Sequence, residues 1–375
     1  MIFLRGVGGG YMKLWNDCLF LDDSDKILDY FTSKNDSLLI LGKGFDPRAC
    51  TILEKLKSVM SEFSVWLIDY NDKAKNADGG NESRSENNYK NLLDICDGVV
   101  NQEIKVPLYG GNENERTLVI SESVRNAFAS DKLQAYKHIL IDVSAMPRGV
   151  AFSIIKRILD IKSLEQNVYI LVCENSECDD KIKPVLGEES AEYLPGFNTF
   201  SMSMESENDE NIIWLPVLGM NEERAFRIID NYLKPIEICP VVPFPSKDIR
   251  RGENILRCYG QSIFRENGVE KRNIIYVPEN YPILVYQKLY DTVKYYEKAL
   301  NISKGNGQTM KYAFSSQSSK LIDIGVLLAI INLNKENIKT GIVVVENQGY
   351  VLKDEYNKEN ERLYCLCLND NEFNW

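Results

Sequence analysis

Short apolar runs alternate along the chain with segments whose apolar residues have helical spacing. Leu38–Gly44 is an apolar run that ends at glycines, Pro47–Phe63 has helical spacing, and Ser64–Tyr70 is a second apolar run. This order predicts two parallel strands joined by a crossover helix. Because the same alternation recurs further along, the pattern predicts an α/β protein built on parallel sheets.

The remaining predicted elements follow the same rule. Strands are predicted at 104–108, 138–144 and 168–173, with helices at 91–99, 121–130 and 148–162. The pattern restarts with strands at 212–218, 236–242, 273–277, 310–314 and 341–345 and helices at 222–233, 283–301 and 320–331, before a polar tail.

Two polar stretches interrupt this pattern. Residues 71–90 contain few apolar side chains and are predicted to form an exposed loop or insertion. Residues 202–211 are acidic and rich in helix breakers, which is typical of a linker. Since 375 residues is long for one domain, we predict a first domain at 1–201 and a second at 212–375, joined by this linker.

The two halves can be superimposed as an internal repeat. A shift of about 172 positions places 138–175 on 310–347 without a gap. Near the start of each half, 41–49 matches 218–225 at a slightly larger shift. The repeat predicts two Rossmann-like parallel-sheet domains in tandem, arising from internal duplication. The alternative is the strand–loop–helix rhythm that any two α/β domains share.

Charge and cysteine usage narrow the function classes. The net charge of −11 disfavours bulk binding of nucleic acid or of an anionic membrane. The nine cysteines are scattered without Cys-x-x-Cys spacing, and we expect a reducing, cytoplasmic location. The single histidine, His138, stands at a predicted strand entry, and no metal site is expected. Met1–Gly10 has too short an apolar stretch for a signal peptide, and its glycine-rich part, Gly6–Gly10, is expected to be a flexible leader.

Candidate chemistry lies in loops that follow strands, since ligands of open parallel sheets bind beyond the carboxyl ends of the strands. The first such loop contains Gly42, Lys43, Gly44 and Arg48. Glycines let the backbone approach a ligand closely, and cations beside a helix N-terminus attract anions. The alternative is a plain helix start capped by Asp46, with solvated cations.

The second loop follows the strand at 138–144 and contains Asp142, Ser144 and Arg148. Ser144 could cap the following helix or donate to a phosphate oxygen. Arg148 offers a fork of donors that suits phosphate. For this loop alone, a cap and a surface charge would be the simpler explanation.

Two further loops carry cations. Ser315, Ser316 and Lys320 form the counterpart of the second loop in the repeat. Lys247 and Arg250 follow another predicted strand, where they predict either an anion clamp or a solvated surface loop.

A strand that ends in Asp–hydrophobic–Ser, followed by a short turn and a cation entering a helix, resembles the ligand-side motif of CARF domains. Here Asp142, Val143, Ser144 and Arg148 carry the resemblance. Two such units in one chain are similar to the SAVED arrangement. The resemblance implies a Rossmann-like sensor of cyclic oligonucleotides in prokaryotic antiviral defence or stress signalling. In the second half, Phe314 stands near the place of the Asp.

The leading hypothesis is therefore a module that binds or senses a small anionic nucleotide and needs no cofactor. A separate effector or complex subunit, or a second copy of the chain, is a further expected partner. Two alternatives stay open: a degenerate scaffold subunit, and a nucleotide-processing hydrolase or transferase. The enzyme would use carboxylates at strand ends, of which the sequence offers Asp69, Asp142, Glu174 and Glu346.

Overall fold

The computed structural model describes residues 18–70, 79–97, 100–111, 117–200, 211–220, 222–303, 310–352 and 357–368. The expected leader at Gly6–Gly10 and nearly all of the expected linker lie outside these residues. The chain forms two compact units. The first comprises Met1–Val185 and Asn347–Trp375, and the second Leu186–Glu346.

The first unit combines a sheet with helices that connect its strands. Its strands are β1 (Leu19–Leu21), β2 (Ser37–Lys43), β3 (Ser64–Asp69), β4 (Gln102–Lys105), β5 (Tyr109–Gly110), β6 (Thr117–Leu118), β7 (His138–Asp142) and β8 (Asn167–Glu174). Its helices are α1 (Ser24–Phe31), α2 (Thr51–Lys57), α3 (Gly79–Ile95), α4 (Ile120–Ala127), α5 (Ser130–Leu133), α6 (Arg148–Ile161) and α7 (Ser176–Lys181).

The second unit repeats this plan. Its strands are β9 (Ile182–Tyr193), β10 (Ile212–Val217), β11 (Glu237–Ile238), β12 (Val241–Pro243), β13 (Ile275–Val277), β14 (Lys311–Ser316) and β15 (Lys339–Leu352). Its helices are α8 (Glu223–Leu233), α9 (Arg251–Cys258), α10 (Pro282–Ser303) and α11 (Lys320–Lys335). The last strand that the structure describes, β16 (Arg362–Leu368), returns to the first sheet.

The two large sheets share one strand order. The first runs β1-β16-β8-β7-β2-β3-β4, and its strands from β8 to β4 are mutually parallel. The second runs β13-β12-β10-β14-β15-β9, and its strands from β13 to β15 are mutually parallel. In each unit the parallel strands, numbered as they occur along the chain, follow the order 3-2-1-4-5, which is that of Rossmann-like folds.

Apolar runs fill the interior of each unit. In the first sheet Ile40 stands beside Trp66 and Ile141, and all three are buried. In the second unit the residues from Leu321 to Leu333 of α11 are buried without a break. A helix with apolar residues on every side is stable only where protein covers every side, and protein covers this stretch of α11.

Helix α3 corrects the predicted loop at 71–90 over its described part. Residues 79–90 are helical, and 71–78 lie outside the described residues. Ser85, Tyr89, Leu92 and Cys96 are spaced by three or four positions and face inward. Because polar residues take part of this inward stripe, counting apolar residues alone does not reveal the helix.

Strand β16 changes the predicted division of the chain. The sequence pattern placed all of 212–375 in the second domain and predicted a polar tail. In the structure, β16 pairs antiparallel with β8 and with β1. The unit boundaries fall within β9 and β15, at Val185 and Glu346.

Two further features concern membrane-spanning helices and the cysteines. Among the residues described, no helix combines the length and apolar character that crossing a bilayer requires. All nine cysteines are free thiols, and Cys258 alone of them is exposed.

Candidate functional site

The predicted turns meet in pairs at one point of each sheet. In the first sheet β2 and β7 are neighbours, and in the second β10 and β14 are neighbours. The chain continues to opposite sides of the sheet after these two strands, so this is the topological switch point, where open α/β sheets bind ligands. The glycine loop and the Asp142 loop therefore lie side by side, as do Gly219 and the Ser315–Ser316 loop.

The two glycines of the first loop allow close packing against Tyr70. A Cβ on Gly42 would lie 2.8 Å from Tyr70 Cε1, and one on Gly44 would lie 2.3 Å from its hydroxyl. That hydroxyl donates to the Ala145 carbonyl at 2.8 Å. Asn88 of α3 donates to the carbonyls of Gly44 and Asp46. The close approach that these glycines permit is thus made by the protein's own side chains.

Arg48 is buried between two carboxylates. Its Nε and Nη2 donate to the two oxygens of Asp46 at 3.0 and 2.7 Å, and Nη1 donates to Asp179 at 2.8 Å. Burial by itself would lower the pKa of Arg48, but the two carboxylates raise it well above its usual value. A guanidinium paired in this way has no free fork for a phosphate, so its role here is structural.

Lys43 stays at the carboxyl end of β2 with part of its side chain exposed. Its Nζ lies 3.5 Å from Asp69 Oδ2 and 4.0 Å from the ring centre of Tyr89. A partly exposed pair of this length is weak, so an anion could compete for the ammonium group.

Ser144 and Asp142 form a buried hydrogen-bonded pair. Asp142 Oδ1 accepts the Ser144 hydroxyl at 2.6 Å and the Ser144 N–H at 2.9 Å. The Ser144 oxygen in turn accepts the N–H of Cys173 at 2.7 Å. Burial raises the pKa of Asp142 to about 7, against the lowering effect of the bonds from Ser144. These bonds tie β7 to β8 and leave the Ser144 hydroxyl committed within the protein.

Arg148 is the first residue of α6 and is half-buried. The residue before it, Pro147, provides no side-chain cap, and the Ala151 N–H closes the first turn on the Pro147 carbonyl. The first N–H groups of a helix have no partner within the helix, and they attract anions. Arg148 therefore places a cation at the N-terminus of α6, which the side chain of Pro147 does not cap.

The switch point of the second unit is packed tightly. A Cβ on Gly219 would lie 1.7 Å from the Gln317 carbonyl oxygen. Trp214 Nε1 donates to Ser315 at 3.0 Å, and the Ser316 hydroxyl donates to the buried carboxylate of Asp323. The hydroxyls of Ser315 and Ser316 thus have partners inside the unit.

Lys320 is the first residue of α11 and is half-buried, as Arg148 is in α6. Ser319 caps this helix, accepting from Ile322 N–H. The two helices begin at positions related by the repeat shift, so the repeat places a cation at the same helix start in both units.

Lys247 and Arg250 lie at the edge of the second sheet that the carboxyl ends of its parallel strands form, but away from the switch point. Both are exposed in the loop after β12, which is the neighbour of β10 on the side away from β14. The Arg250 N–H donates to Asp248 at 2.9 Å. The structure therefore does not place these two cations in the switch-point turn itself.

Three of the strand-end carboxylates lie among the described side chains, where each bonds a neighbouring side chain or is buried. Asp69 pairs with Lys43, Asp142 bonds Ser144, and Glu174 is buried at the end of β8. The side chain of Glu346 lies outside the described residues. His138 bonds the Tyr169 hydroxyl at 3.1 Å inside the core. Within the described ranges no cluster of metal-ligating side chains occurs.

Several residues at these edges were not singled out by the sequence. Tyr70, Asn88 and Asp179 shape the first switch point, and Asp323 shapes the second. Tyr70 is the last residue of the predicted apolar run Ser64–Tyr70, which is a detectable signal. The others are ordinary polar residues in helices, and only their tertiary contacts reveal them.

Comparisons with known proteins identify no family for this chain. No protein-family model matches the chain, and no curated protein matches it. Among solved structures, a putative universal stress protein from Pseudomonas aeruginosa UCBPP-PA14 is 10% identical over 85% of this chain and 95% of that one, with a TM-score of 0.21. The mitomycin 7-O-methyltransferase MmcR is 9% identical over 40% of this chain, with a TM-score of 0.22. The match spans 35% of that methyltransferase chain. At such TM-scores these likenesses support no conclusion about function.

The fold defines the class by itself. The protein is an α/β protein with two Rossmann-like domains in tandem that repeat one parallel strand order. Each domain places a glycine-containing turn and a polar turn at its switch point.

Proposed function

We propose that this protein is a nucleotide-binding sensor that holds phosphate groups at the switch points of its two domains. The observation that carries the proposal is the repeated helix start. In each unit the helix that follows the fourth parallel strand begins with a half-buried cation, Arg148 or Lys320, beside the switch point. A helix N-terminus and a cation together suit phosphate.

The resemblance of Asp142–Arg148 to the CARF motif favours a cyclic oligonucleotide as the ligand. Each unit by itself offers one helix start with a cation for a phosphate group of such a ligand. A role in prokaryotic antiviral defence or stress signalling is part of the same proposal. The hydrogen bonds that Ser144 and Arg48 make inside the protein support binding over bond breaking, since the Ser144 hydroxyl is not available as a nucleophile and the Arg48 guanidinium is not available to stabilise a developing charge.

The first test is titration calorimetry with a panel of cyclic dinucleotides, cyclic trinucleotides and mononucleotides. We expect at least one to bind, and we expect Arg148→Ala or Lys320→Ala to weaken its binding by roughly ten- to a hundredfold. That range corresponds to the loss of one hydrogen bond to a charged group, about 1.5–3 kcal/mol. Native mass spectrometry of the purified chain would show any nucleotide that copurifies.

Two matched variants control for general charge effects. Lys156→Ala removes a cation from the exposed side of α6, where Lys156 pairs with Asp160. Lys335→Ala removes one from the far end of α11. Both are expected to bind as the wild type does. The proposal fails if no nucleotide in the panel binds, or if the control variants lose as much affinity as the test variants.

A further inference from the structure

Two half-exposed aromatic rings form a corner at the carboxyl ends of β12 and β13. Phe244 is 50% exposed and Tyr276 is 48% exposed. Their ring centres lie 6.0 Å apart, with the ring planes at 75°. The aliphatic side chain of Ile249, which is 83% exposed, stands in the same loop as Phe244. An exposed apolar group of this kind is typical of a binding surface.

Two exposed cations accompany this corner. Lys247 and Arg250 lie in the loop that Phe244 opens. Asp248 lies between them in the sequence. Its carboxylate accepts the backbone N–H of Arg250, a bond within the loop. The next cation, Arg251, is instead paired with Glu279 at 3.0 Å. The loop therefore presents two cations beside aromatic surface in a chain whose net charge is −11.

The corner is held by backbone bonds. The Phe244 N–H donates to the Val277 carbonyl at 2.6 Å, and the Glu279 N–H donates to the Pro245 carbonyl at 3.0 Å. Gly252 of α9 packs against the end of β12, where a Cβ would lie 3.0 Å from the Pro243 oxygen. A loop whose backbone is bonded in place before binding loses less conformational freedom when a ligand binds to it.

The corner lies on the same edge of the sheet as Lys320. The strands β13, β12, β10 and β14 are neighbours in that order and parallel, so their carboxyl ends line one edge. Neighbouring strands are about 4.8 Å apart, and β12 is therefore roughly 10 Å from β14. A ligand whose phosphate lies at the start of α11 would extend its next groups toward the aromatic corner.

We propose that Phe244 and Tyr276 form a base-stacking surface for the nucleotide held at the switch point of the second unit. Lys247 and Arg250 bind phosphate oxygens of the same ligand. Stacking on aromatic rings beside cations is the chemistry that recognises nucleobases and their phosphates. This inference rests on the proposed function, and it adds where the base is recognised.

The test compares a nucleotide with a phosphate-only probe. The wild type and the Phe244→Ala/Tyr276→Ala double variant are titrated with the cyclic and mononucleotide panel and with inorganic pyrophosphate. We expect the double variant to bind the nucleotide roughly tenfold more weakly or worse, as expected for losing a base–aromatic stack. Pyrophosphate binding should be unchanged in that variant and reduced in Lys247→Ala/Arg250→Ala.

A matched control and a spectroscopic readout accompany this test. Tyr295→Ala removes a tyrosine that is 72% exposed on α10 of the same unit and should leave binding unchanged. Phe244→Trp keeps the ring, so it serves if the double variant fails to fold. Its fluorescence, taken as the difference from the wild type, should be quenched when the nucleotide binds.

The outcomes separate this inference from the proposed function. If Lys320→Ala loses nucleotide binding while the double aromatic variant retains it, the stacking surface is refuted and the proposed function stands. Unquenched Phe244→Trp fluorescence at saturating nucleotide refutes the stacking surface as well. If the wild type binds no nucleotide of the panel, both proposals are refuted.

Discussion

At the residue scale, burial divides the members of the polar turns into two groups. Arg48 and Ser144 are buried, and the protein itself satisfies their hydrogen-bonding groups. Buried polar groups have to be bonded internally, because leaving them unpaired costs free energy. Lys43, Arg148 and Lys320 are only half-buried, and they remain the candidates for binding an anion.

The buried carboxyl of Asp142 predicts a specific pH dependence of stability. Burial raises its pKa to about 7 in the folded state, above the value of 3.8 expected without burial. Between these pH values the folded protein holds a proton that the unfolded chain releases. This contribution to stability is therefore full below about pH 4 and is lost as the pH rises to 7.

The variant Asp142→Asn should remove this dependence, because an amide oxygen accepts the same two bonds from Ser144 without titrating. Relative to the wild type, the variant should gain stability from pH 5 to pH 8, by at most about 4 kcal/mol. Urea denaturation at several pH values measures the difference. Asp160→Asn, at an exposed position of α6, is the control and should follow the wild type. Parallel curves for wild type and Asp142→Asn would contradict the prediction.

At the scale of elements, close approach between neighbouring turns fixes the switch points. In the second unit Gly219 lets the end of β10 lie against the Gln317 carbonyl that follows β14. In the first unit Gly44 lets the loop after β2 lie against the hydroxyl of Tyr70. A side chain at Gly219 would collide with a backbone oxygen, whereas one at Gly44 would collide with the terminal hydroxyl of the Tyr70 side chain.

Replacing Gly219 with alanine should therefore separate β10 from the turn after β14. The added Cβ would lie 1.7 Å from a backbone oxygen, which cannot rotate away as a side chain would. We expect a loss of about 1–3 kcal/mol or more in the free energy of unfolding. Thermal and urea denaturation measure this loss.

Gly260 provides the matched control for that substitution. A Cβ at this position meets nothing within 4 Å. Gly260→Ala should be neutral or slightly stabilising, since alanine has less freedom to lose on folding. Equal effects of the two substitutions would show that the contact with Gln317 does not carry the destabilisation.

At the scale of the whole molecule, the end of the described chain completes the first sheet. β16 lies between β8 and β1 and bonds both. Its residues Leu363, Cys365 and Cys367 join the core of the first unit. The first unit is therefore built from two separate stretches of sequence.

A chain that ends at Glu361 should consequently lose the fold of its first unit. Removing β16 exposes the edge of β8 and the apolar residues beneath it, and exposed edges of this kind promote aggregation. We expect poor solubility and increased binding of a hydrophobic dye. Adding a peptide of residues 357–375 should restore the ordered state in part. A soluble truncated chain with an unchanged circular dichroism spectrum would contradict this prediction.

Much of the fold followed from the sequence because buried parallel strands are continuous apolar runs. The runs at 38–44, 138–144 and 310–314 predicted strands, and the repeat predicted two Rossmann-like domains. The helix over 79–90 and the strands β1 and β16 were not predicted. The contacts that hold these elements are made with residues far away in the sequence, and a local sequence pattern does not reveal such contacts.

The candidate site divides in the same way. The sequence by itself determined the class of fold, the repeat, and the presence of hydroxyl and cationic residues after particular strands. Only the tertiary structure decided that Arg48 is held between Asp46 and Asp179, and that Phe244 and Tyr276 meet. The physical reason is that periodicity reflects which side of an element is buried, whereas hydrogen bonding and ring contacts depend on which distant elements the fold brings together.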